Sequence, residues 1–304
     1  MKRLPLTVMF AAILLLPAGC ITPVRIVDPT PLAGTTLEGL RTRDGLLRTY
    51  RVYSPASIAG DTVPLLVLLH GTGSNSARMI EMADFKRHAE TNRYLLVAPD
   101  ALGRAFNEGA GRIGQEFADV DDVAFIATLI TRLKKSHRVS QVFLAGFSSG
   151  AAMVQRAVLE SPGMIDAAAG VSGHLWPPLV QAVSEPAVPV PLLLLFGDAD
   201  PLNPDNGKLS PRTTAERWAR LFGCEVSITA SSHLVRTTAW AKCAGDVSVQ
   251  LVMVEGLGHF WPGGTVSHAQ NLPADRLGSY VGSVNATNII WRFFLSATGA
   301  PAGR

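Results

Sequence analysis

Ser148, Asp200 and His259 have the residue types, and stand in the order, needed to turn a hydroxyl group into a nucleophile. Ser148 is the centre of Gly146-Phe147-Ser148-Ser149-Gly150, a G-x-S-x-G turn. An apolar run, Val142-Phe143-Leu144-Ala145, precedes it, and a stretch of good helix formers at 151–159 follows. So tight a strand-to-helix turn forces its central residue into a strained backbone, and the flanking glycines keep side chains out of the way. The hydroxyl is lifted to the helix N-terminus, where unpaired N–H groups and the positive dipole end suit an oxyanion. Alone the pattern is weak: with Gly and Ser each near 7% of residues, it arises by chance in roughly one chain of this length in ten.

The partners strengthen it. Asp200 follows an apolar run at 191–196 and His259 follows another at 247–254. In this arrangement His259 takes the proton from Ser148 and returns it to a leaving alcohol, while Asp200 holds the imidazole tautomer and stabilises its cation. The expected oxyanion donors are the backbone N–H of Ser149 and that of Thr72, in the loop after His70-Gly71. Asp198 is a rival acid two residues from Asp200, and Asp200 could instead cap the turn before Pro201. Trp261 follows His259 by two residues, so its ring is expected to wall the cleft, with burial for packing as the other reading. His174, in Gly173-His174-Leu175-Trp176, lines the cleft or packs. His70 reads as a structural turn residue, and His88, His137, His233 and His268 as ordinary histidines. All the chemistry lies in protein groups, so no cofactor or metal is expected.

Strands must alternate with helices to place these loops. Residues 46–53 form a leading strand or hairpin, and the unbroken apolar run 64–69 reads as a strand buried on both faces of a parallel sheet. A helical segment to 93, a strand at 94–98 and a Gly- and Arg-rich loop at 101–119 follow. The helix from 120 to about 136 opens on Asp121-Asp122, an acidic first turn that capping and the helix dipole explain. Further strands are expected at 167–171, 191–196 and, last, 247–254, with helices at 213–222 and 285–295. The pattern is a three-layer α/β fold in one domain at 45–296, the α/β-hydrolase arrangement in which Ser, acid and His each follow a strand.

The chain has 304 residues, 47% hydrophobic and 17% charged, enough for one large core. Its 27 Lys and Arg against 24 Asp and Glu, with no basic run interleaved with aromatics, argue against a nucleic-acid partner. Residues 1–20 read as an export signal: Lys2 and Arg3, an apolar stretch too short to span a bilayer, then Pro17-Ala18-Gly19-Cys20. Small residues before Cys20 resemble a bacterial lipobox, although Pro17 stands where Leu is usual. The expectation is lipidation of Cys20, a lipid as the only membrane contact, and a place in the cell envelope or outside the cell. Residues 21–44 read as a tether and 297–304 as a tail. With Cys20 assigned, Cys224 and Cys243 remain in an oxidising compartment, where a disulfide is expected. Closing a loop of about 20 residues, it contributes roughly 3 kcal/mol in the loop-entropy picture.

Taken together, PLLVLLHGTGSN, VDDVAFI, AGFSSGAAM, FGDADPLNP, the Cys224/Cys243 pair and GHFWPGG resemble the exported polyhydroxybutyrate depolymerase/feruloyl esterase group of α/β-hydrolases. The likeness runs from about 45 to 294. It assigns Ser148, Asp200 and His259 the roles given above; Phe147 stands where Leu is commoner and Ser149 where Asn or Ala is. It implies a carboxylic-ester hydrolase acting on small or oligomeric esters, whether polyester fragments, feruloyl sugars, acetyl or simple esters. The chain ends soon after its last expected helix, so soluble esters are expected over crystalline polymer. A peptidase of related fold and a non-catalytic surface binding protein are the alternatives.

The leader makes a direct prediction. Cys20→Ser should move the protein out of the membrane fraction with activity on soluble esters unchanged, and mass spectrometry should find lipid on wild-type Cys20; an unmodified Cys20 in the mature protein contradicts the anchor.

Overall fold

The computed structural model describes residues 31–109, 119–176, 179, 188–203, 209–265 and 276–299. The expected leader and the chemistry of Cys20 lie outside them, as do His268 and residues 110–118 of the Gly- and Arg-rich loop. The apolar runs form strands: β1 (Thr36–Arg41), β2 (Leu47–Tyr53), β3 (Val63–Leu69), β4 (Leu95–Pro99), β5 (Val139–Phe147), β6 (Ala167–Val171), β7 (Leu192–Gly197), β8 (Val226–Ser232), β9 (Val235–Ala241) and β10 (Val249–Val254). They make one sheet in the order β1-β2-β4-β3-β5-β6-β7-β10-β9-β8. The six strands from β4 to β10 run parallel, and an antiparallel pair closes each side.

Alternate side chains of the parallel strands feed two cores. Leu65, Val67, Leu144 and Leu194 point to one face, packed with Phe125, Met153 and Trp218. Leu66, Leu68, Phe143 and Leu195 point to the other, packed with Ile80, Phe85 and Trp291. The helices supplying these partners are α1 (Ser76–Met82), α2 (Phe85–Asn92), α3 (Asp122–Ser136), α4 (Ser149–Glu160), α5 (Pro211–Leu221) and α6 (Ala286–Thr298). Both faces of each central strand are thus covered, which is why the runs carry no polar alternation. This is the α/β-hydrolase fold.

Three elements differ from expectation. The stretch 36–41, read as part of a tether, is strand β1: it pairs with β2 from Thr36↔Val52 to Arg41↔Leu47 and buries Leu40. Short and mostly exposed, it lacks the apolar run that marks an inner strand. The β8–β9 hairpin was not anticipated, because its residues are small and polar and its turn, His233-Leu234, carries neither Gly nor Asn. Helix α6 continues to Thr298, past the expected end at 295.

Cys224 and Cys243 are disulfide-bonded. The bond fastens the base of the β8–β9 hairpin beside the end of α5. On the opposite side of the fold, His88 of α2 stands among aromatic rings, 5.6 Å from Trp291, 5.8 Å from Tyr94 and 6.2 Å from Phe85. Its Nδ1 lies 3.1 Å from the Tyr94 hydroxyl. Burial disfavours the charged ring and lowers its pKa from 6.5 to about 4. The unfolded chain therefore binds this proton at a higher pH than the folded one, and stability is lost as pH falls from 6.5 to about 4. Thermal melts across that window should show a declining midpoint in the wild type and a shallower decline in His88→Gln; equal slopes would remove His88 as a source.

Candidate active site

The turn after β5 is built on close approach. Ser148 has φ 55° and ψ −120°, a conformation unfavourable for any residue with a Cβ. It is held by its neighbours: Ser148 N–H donates to the Val171 carbonyl at 2.8 Å and its own carbonyl accepts from Ala152 N–H at 3.0 Å. A Cβ on Gly146 would stand 2.5 Å from the Gly150 carbonyl, and one on Gly150 would stand 2.5 Å from the Leu69 carbonyl. Only glycine fits at either place, so the turn can close and α4 can abut the end of β3.

The three residues singled out from sequence come together there. His259 Nε2 is 3.0 Å from Ser148 Oγ, and His259 Nδ1 is 2.7 Å from Asp200 Oδ2. Asp200 is buried, and its other oxygen accepts the Leu202 N–H at 2.8 Å. With Nδ1–H donating to the carboxylate, Nε2 is left as the acceptor that faces the serine. His259 is fixed in turn by its own N–H, 2.6 Å from the Leu277 carbonyl, and by the Phe147 ring, 5.2 Å away. Asp198, the rival acid, is exposed and accepts the Gly256 N–H at 2.7 Å. It braces the turn leading to His259 and does not touch the imidazole.

Ser149 begins α4, so its N–H is one of the donors a helix leaves without an intrahelical acceptor. Its hydroxyl has no hydrogen-bond partner among the described residues. Thr72 is exposed in the turn after β3. Two contacts hold that turn: Gly73 N–H donates to the Arg104 carbonyl at 2.8 Å, and His70 Nε2 accepts the Ala101 N–H at 3.1 Å. His70 Nδ1 then donates to the Gly71 carbonyl at 2.8 Å. Burial lowers its pKa, which suits this neutral, structural use.

The expectation that Trp261 walls a cleft is corrected. The indole is 2% exposed, its rings meet Phe85 at 5.7 Å and Phe147 at 6.3 Å, and its N–H donates to Thr287 Oγ1 at 3.0 Å. A buried indole needs an acceptor, and α6 supplies one that passes the bond on to the Ala83 carbonyl at 2.7 Å. His174 takes the packing role: it is buried, 5.0 Å from the Phe196 ring, with Nδ1 donating to the Leu209 carbonyl at 2.9 Å.

Two supports were missed. Asp121 caps α3 as read, accepting the Ala124 N–H, but Asp122 forms a buried ion pair with Arg48 at 2.5 Å and accepts the Asn107 N–H at 2.7 Å. Gln155, buried in α4, donates to the Gly173 carbonyl at 2.8 Å and accepts from Trp218 Nε1 at 2.9 Å. An amide among Met153, Val154, Ala157 and Val158 on the buried side of the helix was the available signal.

Residues 51–215, more than half of the chain, match the phospholipase/carboxylesterase family. A protein of Nocardia uniformis subsp. tsuyamanensis named as an esterase, NocK, is 30% identical over 287 residues, covering 80% of this chain and 78% of its own. The chain belongs to the phospholipase/carboxylesterase family of α/β-hydrolases. Among solved structures, an acetyl xylan esterase from Aspergillus awamori superposes with a TM-score of 0.55 at 16% identity, covering 74% of this chain and 94% of that one. A prolyl endopeptidase gives a TM-score of 0.57 at 12% identity, with 88% of this chain but 39% of that one covered. These likenesses speak for the fold.

The two aspartates are separable by experiment. Asp200→Asn should lower kcat by about 10⁴-fold through loss of the correct imidazole tautomer. Asp198→Asn should cost far less, since it loosens only a turn. A larger loss in Asp198→Asn would reassign the acid.

Proposed function

We propose that the chain is an exported serine esterase that cleaves soluble carboxylic esters through an acyl-enzyme, of the type found among polyhydroxybutyrate depolymerases and feruloyl esterases. The hydrogen-bonded series from Ser148 Oγ through His259 to Asp200 carries this reading. Family membership favours esters, as do the names of NocK and the acetyl xylan esterase. The motif order from PLLVLLHGTGSN to GHFWPGG supports the finer type.

In the first half-reaction Ser148 Oγ attacks the ester carbonyl carbon as its proton passes to His259 Nε2. The carbonyl oxygen becomes an oxyanion facing the N–H groups of Ser149 and Thr72. The tetrahedral adduct collapses, the alkoxide departs, and His259 protonates it to the alcohol. Water then repeats the sequence on the acyl-serine, His259 accepting its proton, and releases the acid with Ser148 restored. Asp200 keeps its charge throughout and stabilises the imidazolium.

The test is a panel of p-nitrophenyl esters, feruloyl sugars, acetylated xylan, 3-hydroxybutyrate oligomers and short peptides. Soluble esters or hydroxyalkanoate oligomers should turn over, Ser148→Ala should lose about 10⁴-fold or more, and Ser149→Ala should keep most activity. Peptide cleavage without ester cleavage, or full activity in Ser148→Ala, refutes the proposal.

A further inference from the structure

The sheet has two edges, and they are unlike. Strand β1 carries Glu38 and Arg41, charges of the kind that discourage another chain from adding to an edge. Strand β8, VSITASS, has no charge and no proline, and every one of its residues is exposed, with Ile228 64% exposed. The Cys224–Cys243 bond fixes the hairpin at its base, so the strand is presented already ordered.

The register shows what the edge offers. Ser232 and Val235 close the two-residue turn, and hydrogen-bonded and non-hydrogen-bonded pairs alternate from there. Thr229 opposite Thr238 is then a non-hydrogen-bonded pair, consistent with their hydroxyls being 2.9 Å apart. The backbone N–H and C=O groups of Ser227, Thr229 and Ser231 therefore point away from β9, along the open edge.

We propose that β8 pairs antiparallel with β8 of a second copy of this chain, about a two-fold axis at Thr229. In that register Thr229 exchanges both its hydrogen bonds with its own copy, and Ser227 does so with the second copy's Ser231. Ile228 falls opposite the second copy's Ala230 on one face, gathering the exposed apolar side chains around the axis. Glu225 and His233, both exposed, flank β8, so at each end one copy's Glu225 comes near the other's His233. Antiparallel self-pairing about any other residue separates that acid–base pair. The chain's own N-terminal segment is a poorer occupant: Lys86 Nζ holds the Ala33 carbonyl at 2.6 Å, on the β1 side. That is nine strand spacings, about 43 Å, from β8.

Sedimentation and light scattering of the purified full chain across micromolar concentrations test this pairing. The wild type should be a dimer. Thr229→Pro, which removes the central donor, and Ile228→Lys, which sets two like charges beside the axis, should each raise the dimer dissociation constant about tenfold or more. Retained ester hydrolysis will show that these variants are folded. Glu225→Arg should weaken the dimer, and adding His233→Asp should restore it. A wild type that stays monomeric overturns the proposal, including one whose Ser227, Thr229 and Ser231 amides resist exchange because a segment of the same chain covers them. A dimer indifferent to both Thr229→Pro and Ile228→Lys overturns it as well.

Discussion

The left-handed backbone at Ser148 is the constraint on which the rest of the molecule depends. A non-glycine residue at φ 55° costs about 1–3 kcal/mol and persists only where its surroundings leave no alternative. Here they come from three directions. Strand β6 accepts its N–H through Val171, α4 uses its carbonyl, and the carbonyls at the end of β3 press against Gly150. The same contacts that impose the strain aim the hydroxyl, so the cost and the orientation of the nucleophile have one cause. Relaxing the turn would move the serine away from His259, whose ring is held by Asp200 and whose backbone N–H is held by the Leu277 carbonyl.

This separate anchoring of serine and histidine explains the division of labour among the buried polar groups. His70 ties the ends of β3 and β4 together, Asp122 anchors Asn107 while neutralising Arg48, and Gln155 joins α4 to the loop after β6 and to α5. Each fixes a loop at the carboxyl end of the parallel strands, where the candidate site lies. Buried polar groups must be paired, and here the pairing holds the loops around the candidate site.

The central strands and the nucleophile turn were legible because both are local. An apolar run buried on two faces has one composition, and a nucleophile turn needs its glycines within four residues. What stayed hidden depends on partners distant in the chain. Trp261 looked like a cleft residue because it neighbours His259, whereas its hydroxyl acceptor, Thr287, lies on α6. Asp122 looked like a capping residue, and its partner Arg48 sits on β2, 74 residues away. β1 and β8 were unreadable for a different reason: edge strands need no apolar run, so polar, exposed sequences such as VSITASS give little sign of pairing.

Strands β7 and β10 are neighbours, paired from Leu192↔Val249 to Gly197↔Val254, although the β8–β9 hairpin and α5 intervene in the chain. Asp200 and His259 therefore meet through sheet register across a long excursion. During synthesis the nucleophile turn emerges first and the base last, more than 100 residues later. Until β10 has docked beside β7, Ser148 is an ordinary alcohol. In the proposed mechanism, the nascent chain is therefore silent until β10 has joined the sheet beside β7.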